Sequence, residues 1–254
     1  MIELLNRQET LNLNKIFAAH IIEWQSRLRP HPDHLYKPDQ EYYDPMQGVV
    51  RYYSPEECKK LNNDWAEEYE RKRDKIEVIS IDSLYAGTTI YVFKYDTINN
   101  YINHLANGFT ELADKLKWKS VIFLADYAEP WYGGRNDFQP LEDAIDYFKI
   151  IGATDTFTGG FKVDLYDLPQ FLKNYFWLCR CYASSPYRFF SSPGKNVVLY
   201  LCQYGNIHFH YFSEEYKKEI EAHAKDIGMI KEDQCFEPFS ETGALEGRSM
   251  KLKR

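Results

Sequence analysis

The chain has 254 residues, 44% of them hydrophobic, so it can build a sizeable core and is neither disordered nor a short disulfide-stapled scaffold. Its formal net charge of −7 argues against direct nucleic-acid binding, which needs a basic surface to displace counterions. No apolar stretch approaches the roughly 20 residues of a membrane span, and residues 1–7 lack the basic start and apolar run of a signal peptide.

Cys58, Cys179, Cys181, Cys202 and Cys235 are odd in number and form no CxxC pair. That usage fits a reducing compartment, and the expected location is the cytoplasm. Aromatic residues reach 17%, with 21 Tyr, a composition suited to core filling and to protein-contact surfaces.

Residues 9–28 read as a helix, with Leu13, Phe17, Ile21, Trp24 and Leu28 on one stripe and Pro30 and Pro32 stopping it. Residues 29–53, rich in Pro and Tyr, read as a long ordered loop. Ser54, Pro55 and Glu57 form a capping-box start for a helix to about Asp74, whose basic end complements the helix dipole. Residues 76–79 and 89–93 are short β-rich runs. Asp96 is the expected cap of a long helix carrying Ile98, Ile102, Leu105, Phe109, Leu112 and Leu116. Residues 120–124 are apolar at nearly every position, as in a central strand covered on both faces. Pro140 opens a helix ended by Gly152, residues 161–163 read as a strand, and Asp167 caps an apolar helix over 171–182. Residues 196–212 read as a β-hairpin turning at Gly205-Asn206. Ser213 then caps a last helix, ended at Gly228.

This order predicts an α+β fold of mixed α/β layers. A central mixed sheet with a C-terminal β-hairpin carries helices packed on it, and a helical appendage precedes it. The expected divisions are a helical region with a Pro/Tyr-rich loop over 1–75, an α+β core over 76–228, and a tail over 229–254.

Two places carry candidate chemistry. Treating Gly205-Asn206 as a two-residue loop sets Tyr204 opposite Ile207, Gln203 opposite His208 and Leu201 opposite His210. His208 and His210 then share a face with Gln203, Leu201 and Phe212, while Cys202 and Tyr200 lie on the other. Two imidazoles at that spacing can reach one divalent transition metal, with a third protein ligand unassigned. The loop leaving the central strand holds Asp126, Glu129, Trp131, Tyr132, Arg135 and Asp137. Asp126 and Glu129 are candidates for acid–base work, and Trp131, Tyr132, Arg135, Asp137 and Tyr204 for binding. The Thr154–Phe161 run lacks the Lys and spacing of a phosphate loop and reads as a tight connection. His31-Pro-Asp-His34 reads as a surface turn, and residues 184–188 lack the hydrolase elbow.

With no catalytic motif and an acidic, tyrosine-rich composition, the expected function is a non-enzymatic protein-binding module without a cofactor. It would neutralise a basic protein partner as an immunity protein does. The alternative is a metal-assisted hydrolase in which Asp126, Glu129, His208 and His210 converge.

Overall fold

The computed structural model describes residues 1–27, 29–94, 96–133, 137–182, 187–240, 245 and 247. In chain order the elements begin with β1 (Ile2–Leu5), α1 (Arg7–Asn12), α2 (Lys15–Arg27), β2 (Glu41–Asp44), β3 (Val49–Tyr52) and α3 (Pro55–Lys72). They continue with β4 (Gly87–Phe93), α4 (Ile98–Lys115), β5 (Ser120–Ala125), α5 (Gln139–Ile150), β6 (Gly160–Asp164) and α6 (Leu168–Cys181). The last are β7 (Arg188–Ser191), β8 (Val197–Leu201), β9 (Ile207–Tyr211), α7 (Glu214–Asp226) and β10 (Met229–Glu232).

The fold is α+β. Among the described residues, eight strands form one sheet in the order β1-β6-β5-β7-β8-β9-β4-β10. The mixed sheet expected from the alternation of strands and helices is instead antiparallel at every pairing. The reason lies in elements the periodicity left out. The short strand β7 enters between β5 and β8 and pairs antiparallel with both, while β1 and β10 add antiparallel edges.

Every residue of β5 is buried, with Val121 and Phe123 facing one core and Ile122 and Leu124 the other. The first core lies under α4, α5 and α6 and includes Leu105, Phe109, Ile145, Phe171 and Tyr175. The second lies under α1 and α2 and includes Leu11, Phe17, Ile21, Phe189 and Val198. A strand with both faces covered has no place for the polar half of an alternating pattern, which is why residues 120–124 read as one apolar run.

The N-terminal helices are therefore not an appendage: they cover the sheet's second face. Asn14 breaks the helix expected over 9–28 into two. Its Oδ1 accepts from the backbone N–H groups of Ile16 and Phe17, at 3.0 and 3.1 Å, and so caps α2. Its Nδ2 donates to Ser191 Oγ and to the carbonyls of Ser192 and Lys195, tying the start of α2 to the β7–β8 turn. Asparagine offers the backbone an alternative to the helical ladder, and here that alternative wins. The sheet's two edges are also supplied from outside residues 76–228, by β1 and β10.

Other boundaries moved for local reasons. Thr97, not Asp96, caps α4, its Oγ1 accepting from Asn100 N, while Asp96 accepts from the Asn100 side chain. Residues 76–79 are not assigned to a strand, and Val78 and Ile79 are exposed. The Ser54 capping box is present in full, and Ser213 caps α7.

Residues 36–72 stand apart from both cores. Here β2 and β3 form their own two-stranded antiparallel sheet where a loop was expected. Tyr42 of β2 stacks on Tyr53 just past β3 at 4.2 Å, and Asn62 of α3 makes paired hydrogen bonds with the backbone of Tyr36 ahead of β2. No helix among the described residues is long and apolar enough to cross a membrane.

Candidate functional site

The β8–β9 hairpin does not turn through two residues. Leu201 pairs with Ile207 and Tyr200 with His208, and Cys202 N–H donates to the carbonyl of Asn206 at 3.0 Å. Gly205 N–H donates to the Cys202 carbonyl at 2.9 Å, and Gly205 sits at φ +88°. This is a three-residue loop whose last position is left-handed, the place where glycine costs least. Relative to the expected register the strands slip by an odd number of residues, which exchanges faces. His208 and His210 therefore lie beside Tyr200 and Val198, not beside Gln203 and Leu201.

The two histidines also part company. His210 meets His20 of α2, with ring centroids 4.8 Å apart and both Nε2 atoms enclosed without a hydrogen bond. Burial, and secondarily each ring's neighbouring imidazole, lowers His20 to about 3 and His210 to about 4. Both are neutral packing groups in the second core.

His208 lies over the turn. Tyr200 stacks on it at 4.2 Å with planes 10° apart. A ring nitrogen of His208, Cys202 Sγ and Cys235 Sγ all fall within 4.8 Å of one another, and the two sulfurs are 3.2 Å apart. All three residues are half-buried. The hydrogen bond between the thiols, followed by burial, pushes Cys202 up, and the same bond pulls Cys235 down, leaving Cys235 the readier to ionise.

Cys235 reaches this position because its segment is clamped. The Asn206 side chain bonds both backbone groups of Phe236, at 3.0 and 3.2 Å. Two residues on, Glu237 pairs with both terminal nitrogens of Arg180 at 2.9 and 3.2 Å, an ion pair almost wholly buried. The tail, expected to dock at most through Cys235, Phe236 and Phe239, is held by Cys235 and Phe236 on the hairpin turn, Glu237 on α6 and Phe239 against Tyr101 of α4.

The loop after β5 is built differently from expectation. Trp131 is fully buried, donates from Nε1 to the Gly159 carbonyl at 2.7 Å and packs edge-on against Phe161. Tyr132 is buried and donates to the Ala153 carbonyl at 2.7 Å. Both anchor the loop to the core, because an aromatic ring gains more from burial than a loop tip can offer. Glu129 pairs with Lys72 of α3. Asp137 is exposed just before α5, Tyr204 is half-buried in the hairpin loop, and Arg135 lies outside the described residues.

Asp126 is buried with Oδ1 unbonded, and burial raises its carboxyl to about 7. The backbone around it is held by Arg7, which the sequence did not single out. Its guanidinium forms a two-pronged pair with Asp74, at 2.8 and 2.6 Å, and donates to the carbonyls of Ala125 and Tyr127 at 2.9 and 2.7 Å. Gln25 completes the network, bonding Asp74 and the Asp126 carbonyl.

The four residues of the hydrolase alternative do not converge. β7 and β8 separate β5 from β9, so Asp126 and His208 are roughly 14 Å apart across three strand spacings. Glu129 opens to a cleft with Arg71, Lys72, Asp155 and Arg188, whereas His210 opens to another with His20, Trp24, Arg27 and Asp82.

No family model matches the chain, and neither curated proteins nor solved structures give a match.

Proposed function

We propose that this chain is a protein-binding module whose contact surface is the β2–β3 hairpin, and that its partner is basic. The observation that carries this reading is the hairpin's outward face. The register pairs Glu41 with Tyr52 and Tyr43 with Val50, so these four side chains share one side. Tyr43, Val50 and Tyr52 on that side are 64%, 58% and 58% exposed, and Met46 at the tip is 94% exposed. A small sheet off the main core that holds apolar side chains in water is a surface suited to a partner.

Charge supplies the partner's sign. Asp39, Glu41, Asp44, Glu56 and Glu57 stand in and beside the hairpin against Arg51, with Lys37, Lys59 and Lys60 flanking that stretch. An excess of one sign, here in the hairpin and in the chain's net charge of −7, raises the association rate of an oppositely charged protein. Neutralisation of a basic protein in the cytoplasm, as by an immunity protein, agrees with this surface, with the overall charge of −7 and with five free cysteines.

A photo-crosslinking amino acid at Tyr43 or Val50, compared with one at the exposed Ile150 of α5 in the native host, tests the proposal. A basic protein should be captured from the hairpin positions and not from Ile150, with capture from Tyr43 lost in Val50→Asp. Equal capture from all three positions, or an acidic partner, would refute it.

A further inference from the structure

We propose that Cys202, His208 and Cys235 bind a zinc ion. Two sulfurs and an imidazole nitrogen are a donor set that selects zinc over magnesium or calcium, which take oxygen. Around tetrahedral zinc, Zn–S bonds of about 2.3 Å and Zn–N bonds of about 2.0 Å set donor atoms roughly 3.6–3.8 Å apart. The sulfurs here are 3.2 Å apart and all three donors lie within 4.8 Å, so shifts of well under an ångström to about one ångström complete the geometry.

The surroundings support a built site. Cys202 and His208 are fixed by the hairpin, whose odd-numbered slip brings them to the same side of the turn. Cys235 is brought in separately by the Asn206 clamp on Phe236 and the buried Arg180–Glu237 pair. Tyr200 stacked on His208 sets the ring's orientation. His208 Nε2 is enclosed and makes no hydrogen bond, a cost that coordination through that nitrogen relieves. Three protein donors leave the fourth position to water or to one exogenous ligand, and the half-buried donors leave solvent a route. The ion joins residues 233–240 to the hairpin. This proposal is independent of the β2–β3 surface.

The test uses full-length protein, purified without a histidine tag under a phosphine reductant and refilled with zinc. About one zinc per chain is expected by elemental analysis, retained in His210→Ala and lost in Cys235→Ser and His208→Ala. Cobalt titration should give thiolate-to-cobalt charge transfer and tetrahedral d–d bands in wild type. In chelator competition, zinc affinity should fall at least about tenfold in Cys235→Ser. Cys235 lies outside the sheet, so Cys235→Ser reads the site even if a hairpin variant fails to fold, and circular dichroism verifies its fold. Zinc well below one per chain after refilling overturns the proposal, as does undiminished zinc in folded Cys235→Ser. So does a Cys202–Cys235 disulfide found by alkylating the protein as cells are lysed.

Discussion

Asp126 sits at the end of β5 with an enclosed, unbonded carboxylate oxygen, and its proton is retained to about pH 7. In the unfolded chain the same carboxyl titrates near 4. Between those values the native state binds more protons than the unfolded state, so this group's contribution falls as pH rises from about 4 to 7 and is level above. Arg7 stands nearby but offsets little of the burial, because its guanidinium is already engaged with Asp74 and backbone carbonyls. Asp126→Asn removes the ionisation. Urea unfolding should show the variant more stable than wild type at pH 8, by at most about 4 kcal/mol, with the gain vanishing near pH 4. An equal difference at both pH values would show that the ionisation is not its cause.

The hairpin element shows what one glycine decides. At φ +88°, a Cβ on Gly205 would lie 2.9 Å from both Phe176 Cε2 and Tyr101 Cε1, two core rings. Gly205→Ala should therefore lose about 2 kcal/mol by chemical denaturation, combining backbone strain with overpacking. A loss below a few tenths would mean that the loop re-forms in another turn type. This glycine also explains the limit of sequence reading here. Gly205-Asn206 matches a two-residue turn as well as a three-residue one, and the choice between them put Cys202 beside His208 instead of behind it. The second thiol was less legible still, being 33 residues away from Cys202. What could be read were elements whose signal is local: the Ser54 capping box, the doubly buried β5 and the apolar stripe of α4. The four-residue strands β1, β7 and β10 carry too few residues for a period to show, and only their partners make them strands.

At the scale of the whole molecule, the β2–β3 hairpin and the sheet are stabilised separately, the arm over residues 36–72 meeting the loop after β5 through Lys72, whose carbonyl accepts from Ala128 N–H and whose ammonium pairs with Glu129. None of the arm's described residues belongs to either core cluster, and the base of β2–β3 is closed by backbone bonds between Asp39, Gln40 and Tyr53. Replacing residues 41–52 with a short Gly/Ser linker should leave the main unfolding transition within about 3 °C of wild type by calorimetry. Loss of cooperative unfolding would show that the arm is part of the core. The sheet itself has the opposite character. Its strand order places β4 between β9 and β10, and β6 between β5 and β1, so neighbours in space are remote along the chain. On the ribosome, Tyr91 emerges long before its partner Ile207, and the buried faces of β4 and α4 are synthesised without the strand that completes them. Such an order slows folding, because β4 and α4 keep apolar surface exposed until residues 207–211 and 229–232 can pair.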